Sequence, residues 1–222
     1  MGLDSGASRM PPVVVLTGWM GAGKSTAARA FADLDIAVVD ADALAHAVTG
    51  PGGKALPALR AAFGGALVGE AAGLDRVAMR ERAFQDPAIR VRLESIVHPL
   101  VAEQAEQRLL AAESPYAVYM VPLWIERQGA DRARWPAWAW RVVVIDLPEA
   151  LQQTRILARS PMPEETLRSM LARQAGRSQR LAIADYAIAN DQGPEALTSA
   201  IACLHDRLLR DLAAAEAHAN QT

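Results

Sequence analysis

The run Gly18-Trp19-Met20-Gly21-Ala22-Gly23-Lys24-Ser25 has the residue types and spacing of a loop that wraps a polyphosphate. Its glycines let successive backbone N–H groups converge on one anion, and a helix following it adds the positive end of its dipole. Lys24 would reach the β- and γ-phosphates, and the Ser25 hydroxyl would hold Mg²⁺. Of the 23 basic residues only Lys24 and Lys54 are lysines; the rest are arginines. A compact ammonium on a flexible stem therefore stands where a planar guanidinium would not substitute for it.

A second set of candidates follows the next apolar run. Asp40 and Asp42 close Ile36-Ala37-Val38-Val39, and ligands of open α/β sheets bind beyond the carboxyl ends of strands. A hydroxyl acceptor needs a group to take its proton, which a phosphate acceptor does not. Asp42 is the candidate for orienting and deprotonating such a hydroxyl. It could equally cap a helix beginning at Ala43-Leu44, a role worth about 1 kcal/mol. Asp40, two residues back, reads as structural or as support for the Mg²⁺. Arg155 and Arg159 lie one turn apart on the helical stretch Glu149–Arg159. For Arg155 two readings stand, a nucleotide contact and a surface ion pair with Glu149. His98 before Pro99 reads as a hydrogen-bonded histidine at a helix start that lines a substrate site, not as an acid catalyst. His46, His205 and His218 show no metal-like spacing. Trp135, Trp138 and Trp140 read as edge packing rather than a stacking platform, and Lys54 as an exposed lysine at a helix start.

These residues need a scaffold. The β-branched runs Val13–Thr17, Ile36–Asp40, Ala117–Val121, Val142–Asp146 and Tyr186–Ala189 alternate with helical stretches, which predicts an α/β fold with a parallel sheet covered by helices. Leu197, Ile201, Leu204 and Leu208 fall on one face of a closing helix. Between Ala43 and Glu113 no strand is predicted. Helices punctuated by glycine fill that interval, and Asp86-Pro87 starts one of them with an N-cap and a first-turn proline. After Asp146 a proline-hinged helical pair, broken at Ser160-Pro161-Met162-Pro163, reads as a lid. The expected organisation is a leader over 1–12, one domain over 13–212 and a frayed tail over 213–222. Within the domain the core is 13–42, 114–150 and 184–212, the helical insertion 43–113 and the lid 151–183.

Composition bounds the rest. Hydrophobic residues make up 51% of the 222, enough for a full core, and the net charge of −2 offers no basic field for nucleic acid. Cys203 stands alone, so an internal disulfide or a cysteine-based zinc site is excluded, and small core filler is its expected role. No apolar run has the length of a membrane span and no signal pattern precedes Val13, so a cytoplasmic protein without membrane or nucleic-acid partners is expected.

In order along most of its length, the chain resembles the dephospho-coenzyme A kinases. The resemblance is carried by Leu16-Thr17-Gly18 through Thr26, Val39-Asp40-Ala41-Asp42, Pro51-Gly52 with Ala55-Leu56, Phe63-Gly64 and Leu74-Asp75-Arg76. It continues through Phe84 with Asp86-Pro87, His98-Pro99, Val121-Pro122-Leu123 with Glu126, Gln152 and Arg155. Gln174, Arg180-Leu181, Ala184-Asp185, Ile188 and Asn190 complete it. The resemblance implies a P-loop NTPase fold with a nucleotide core, a helical substrate-binding insertion and a lid. It implies transfer from ATP, with Mg²⁺, to the ribose 3′-hydroxyl of dephospho-coenzyme A in the last step of coenzyme A synthesis, by a monomer or small homo-oligomer.

On the same basis Asp42 takes the place of the catalytic base, and Gly21, Ala22, Gly23, Lys24, Ser25 and Thr26 that of the triphosphate cradle. Arg155 takes that of the lid arginine and Asn190 that of the adenine-side loop. Asp42, His98, Pro122 and Leu123 are placed at the substrate. The family often has two glycines and a small aliphatic residue where this chain has Gly18-Trp19-Met20, so the Trp19 indole must point away from the phosphates. Trp124, His46, Ala102 and Ser160-Pro161 are further departures. Two other readings remain: a nucleoside monophosphate or small-metabolite kinase on the same core, and a regulatory GTPase. The GTPase lacks support, because neither an Asn-Lys-x-Asp nor an Asp-x-x-Gly segment is present.

Overall fold

Three consecutive valines open the first strand, and β-branched side chains of this kind suit a strand covered on both faces. In the computed structural model that strand, β1 (Val13–Gly18), is buried along its whole length. The structure describes residues 10–69, 71–172 and 174–219. After β1 come α1 (Lys24–Ala32), β2 (Ala37–Asp40), α2 (Ala41–Thr49), α3 (Leu56–Phe63), β3 (Val68–Gly69), β4 (Gly73–Leu74), α4 (Arg76–Gln85) and α5 (Pro87–Leu110). They are followed by β5 (Ala117–Met120), α6 (Trp124–Gln128), β6 (Ala139–Asp146), α7 (Glu149–Arg159), α8 (Glu164–Ala172), α9 (Arg177–Ala182), β7 (Tyr186–Ala189) and α10 (Pro194–Ala219).

The main sheet has the order β2-β5-β1-β6-β7, and β1 pairs in parallel with both β5 and β6. Crossover helices are what parallel neighbours require. Helices α1 and α10 cover one face, where Phe31, Ala27 and Ala30 meet Leu197, Ile201, Leu204 and Leu208 in the core. The predicted face of the closing helix is therefore buried. Cys203, expected as core filler, is exposed on that helix instead, off the Leu197–Leu208 stripe. At the end of β1, Gly18 has φ of 149°, and a Cβ there would stand 2.5 Å from the Ile145 carbonyl oxygen. Glycine at this position lets β1 and β6 stay paired to the point where the loop departs.

The chain divides into two compact units, one of residues up to Val39 and from Leu109 onward, the other Asp40–Arg108. The second unit is helical, as predicted, except for one small feature. Val68–Gly69 and Gly73–Leu74 form a short antiparallel hairpin in a stretch where no strand was expected. Two-residue strands are too short for a periodic signal, and their support is tertiary: Arg60 donates from Nε and from its terminal nitrogen to the Val68 carbonyl at 3.2 and 3.1 Å. Asp86 accepts from the Ala88 N–H at 2.8 Å, and Pro87 is the first residue of α5, as the sequence predicts.

The His98-Pro99 step does not start a helix; Pro99 lies inside α5. An internal proline removes one ladder bond, and burial of Val97, Val101 and Ala105 along one face of α5 outweighs that local penalty. At the far end α10 stays helical to Ala219, against the fraying expected from Ala213, and residues 220–222 lie outside the described ones. Of the expected leader, 1–9 lie outside too, whereas the Pro12 carbonyl accepts from Ala117 N–H at 3.0 Å. Among the described residues no helix is long and apolar enough to cross a membrane.

Candidate active site

The glycine loop runs from the end of β1 into the first turn of α1. Gly23 precedes that helix in the left-handed region, φ 96° and ψ 19°, with no side-chain cap. A conformation this costly for other residues turns the chain into the helix and leaves its first N–H groups facing outward. Lys24 folds back across the loop, donating from Nζ to the Gly18 carbonyl at 2.9 Å and the Trp19 carbonyl at 2.8 Å. Ala22 N–H also donates to Trp19 O at 3.1 Å, and Thr26 and Ala27 N–H to Gly23 O, each at 3.0 Å. Ser25 is exposed in the first turn.

Side chains from distant parts of the same unit grip the outside of this loop. Gln152 of α7 is 1% exposed, and its Nε2 donates to Met20 O at 3.1 Å. Gln174 Oε1 accepts from Met20 N–H at 3.4 Å, and Trp19 donates from Nε1 to Ala175 O at 2.8 Å. The indole thus points toward the segment before α9. Asn190, just after β7, is 5% exposed; its Nδ2 donates to Ala22 O at 2.7 Å, while its Oδ1 is buried without a hydrogen-bond partner. Its side chain therefore faces the back of the loop. Arg155 is half-buried, and its Cβ lies 3.8 Å from where a Gly21 Cβ would stand. This proximity places α7 beside the loop.

Two ion pairs lie in the same unit, one of them on a buried arginine. Arg180 of α9 donates to Glu126 Oε1 at 2.6 Å, to Ala175 O at 3.2 Å and to Pro122 O at 3.4 Å. Burial pulls the Arg180 guanidinium below its ordinary value, and Glu126 pushes it back up. Pro122 O also accepts from the Thr17 hydroxyl at 3.3 Å, so Pro122 acts through its carbonyl, whereas the Leu123 side chain is exposed. At the end of β6, Asp146 takes a two-pronged contact from Arg177 at 2.8 and 2.6 Å. That contact holds the Asp146 carboxyl below the usual carboxylate range, outweighing its partial burial.

In the helical unit the two aspartates divide their roles. Asp40 Oδ1 accepts from the N–H groups of Asp42 and Ala43 at 2.8 and 3.3 Å, so Asp40 is the N-cap of α2. Asp42 lies inside the first turn and is exposed. The capping alternative for Asp42 is thus taken by its neighbour. His46 Nδ1 pairs with Asp42 O at 2.8 Å, and Arg76 of α4 donates to His46 O and to the Thr49 hydroxyl at 2.9 and 2.6 Å. His98 is half-buried midway along α5. Lys54 pairs with Glu103 at 3.3 Å on an exposed surface.

A family model for dephospho-CoA kinase matches residues 12–195. The chain belongs to the dephospho-CoA kinase family. It is 43% identical over 194 residues to the dephospho-CoA kinase of Thiobacillus denitrificans, covering 87% of this chain and 94% of that one. To the dephospho-CoA kinase of Dechloromonas aromatica it is 45% identical over 199 residues, 89% of this chain and 93% of the relative. Among solved structures, TT1252 from Thermus thermophilus superposes with a TM-score of 0.74 at 27% identity, over 90% of this chain and 99% of that one. The dephospho-CoA kinase from Campylobacter jejuni, at 22% identity and a TM-score of 0.65 over 90% of this chain and 98% of that one, shares the fold. The chain is a kinase of coenzyme A biosynthesis, acting on an alcohol group.

Of the chain's departures from the family, Trp124 is absorbed by packing. Trp124 sits 5.6 Å edge-on from Trp135 and 5.9 Å from Trp138, and Tyr119 is 5.9 Å from Trp138. Trp135 and Trp138 thus pack as expected of them, here against Trp124, whose Nε1 is buried without an acceptor. Gln152, Gln174, Glu126 and Arg180 stood in the sequence as family-like positions without a role. Nothing local to them reveals what they touch.

Proposed function

We propose that the chain transfers the γ-phosphoryl group of ATP to the ribose 3′-hydroxyl of dephospho-coenzyme A, releasing coenzyme A and ADP. The observation that carries this reading is the closed loop, with Lys24 drawn over Gly18 and Trp19 and Gly23 turned left-handed at the helix N-terminus. A glycine-rich turn into a helix N-terminus of this kind suits a polyphosphate tail. Gly21 through Thr26 form the cradle. Lys24 neutralises charge that moves onto the β–γ bridge as the bond breaks, and Arg155 adds positive charge from α7.

Mg²⁺ fits the donors present. Ser25 offers one hard oxygen, and no group of three His, Cys, Asp or Glu among the described residues could hold a metal unaided. That suits an ion bound through substrate phosphates and water with one protein hydroxyl, where it would neutralise phosphate charge. Asp42 orients the 3′-hydroxyl and receives its proton, while Asp40 holds the turn that presents it. Transfer passes through a loose transition state, so positioning and charge neutralisation outweigh base strength. His98, Pro122 and Leu123 are assigned to the coenzyme side.

A coupled assay of ADP release, with and without dephospho-coenzyme A, tests the reading. ADP release should depend on dephospho-coenzyme A. Release that responds only to a nucleoside monophosphate or a simple alcohol refutes it.

A further inference from the structure

A trans peptide is planar, and its C=O and the next residue's N–H point in opposite directions. Whatever holds a carbonyl on the outside of the glycine loop therefore aims the following N–H toward the inside. Gln152 holds Met20 O from outside at 3.1 Å, which aims the N–H of Gly21. Asn190 holds Ala22 O at 2.7 Å, which aims the N–H of Gly23. Gln174 works in the reverse sense: it takes Met20 N–H outward at 3.4 Å, which turns Trp19 O toward the Lys24 ammonium, 2.8 Å away. The loop cannot do this alone, because its glycines have the widest freedom of any residues to rotate these peptide planes.

We infer that Gln152, Gln174 and Asn190 are positioning residues that set the anion cradle in shape before a polyphosphate arrives. They act through the loop and do not touch the phosphates. The inference rests on the loop being the phosphate site. Gln152 is the sharpest case. It is 1% exposed and its donor has an acceptor only the loop supplies, so its removal leaves Met20 O unpaired and the Gly21 plane loose. Its helix also carries Arg155 one turn further on, so the same bond registers that helix against the loop.

Titration calorimetry with tripolyphosphate and magnesium reads the effect directly, because this probe has neither a nucleoside nor an acceptor. In Gln152→Met, which keeps the size of the side chain and loses the donor, affinity for tripolyphosphate and for ATP should fall about tenfold, the scale of one buried hydrogen bond. Affinity for dephospho-coenzyme A should stay within about twofold of the parent protein, a residual set by the non-additivity of distant sites. Unchanged tripolyphosphate affinity overturns the inference. So does an equal fall for dephospho-coenzyme A, which marks general loosening of the fold. If Gln152→Met does not fold, Asn190→Ala carries the same comparison through Ala22 O. Absence of tripolyphosphate binding by the parent protein would instead overturn the phosphate-site reading itself.

Discussion

Glu126→Ala should destabilise the protein far more than a surface carboxylate would. The Arg180 side chain is 2% exposed and its partner Glu126 is 19% exposed, so truncation strands a buried cation. In the native protein burial already depresses the Arg180 pKa, and the Glu126 charge and hydrogen bond are what oppose it. Breaking a buried pair from one side costs about 3–5 kcal/mol. The remaining bonds to Ala175 O at 3.2 Å and Pro122 O at 3.4 Å go to neutral acceptors, the second at the weak end of the range.

Ala175 N–H also loses its 2.8 Å bond to Glu126. Water can enter where Glu126 is partly exposed, which places the expected loss near the lower bound, about 3 kcal/mol. For a chain of this size that lowers Tm by about 6–12 °C. Urea unfolding of Glu126→Ala, Arg180→Met and the double variant Glu126→Ala/Arg180→Met measures it. The double variant removes both charges and should be more stable than Glu126→Ala. A double variant whose loss equals the sum of the two single losses would refute the account, because an uncompensated charge cannot then be the source.

Three further outcomes are expected. Asp42→Asn keeps the shape and the Asp40 cap but cannot take a proton, so turnover in the ADP-release assay should fall by about 10² or more with ATP affinity retained; near-normal turnover would remove Asp42 from the chemistry. Gly23→Ala would place a Cβ 2.2 Å from Asn190 Nδ2 and 3.3 Å from Leu197 Cδ2 at φ of 96°. Left-handed strain of about 1–2 kcal/mol and a displaced Asn190 bond together predict a loss of about 2–4 kcal/mol and of the thermal shift produced by ATP, and parental stability with parental ATP binding would contradict this.

Asp146 titrates below the ordinary carboxylate range chiefly because Arg177 donates to it. A lowered folded-state pKa stabilises above the unfolded value of about 4 and fades as pH falls through the folded one. The Tm gap between the parent protein and Asp146→Asn should therefore be full near neutral pH and shrink in acid. A gap of constant size down to about pH 3 would count against the pair.

Legibility tracked distance along the chain. The strands at Val13, Ala117 and Val142 announced themselves because each is a contiguous apolar run, buried on both faces. The β3–β4 hairpin did not, because two residues per strand carry no period. The lone proline at Pro99 looked like a boundary, since the local preference of the step before it is against the helix; the tertiary fold overrode that preference. At the aspartate pair the sequence carried both carboxylates but not their division of labour. Only the hydrogen bonds from Asp42 and Ala43 to Asp40 assign the cap to the earlier one.

From the sequence by itself came the α/β class, the phosphate loop with Lys24 and Ser25, and the start of α5 at Asp86-Pro87. All of these depend on residues within a few positions of one another, where propensity and hydrogen-bonding capacity act directly. Tertiary structure alone decided what holds the loop in shape. Gln152 meets Met20 across 132 positions, Asn190 meets Ala22 across 168, and Arg180 finds Glu126 across 54. A carboxamide has no preferred partner until the chain has closed around it, so these contacts exist only once β6 lies beside β1 and β7 beside β6.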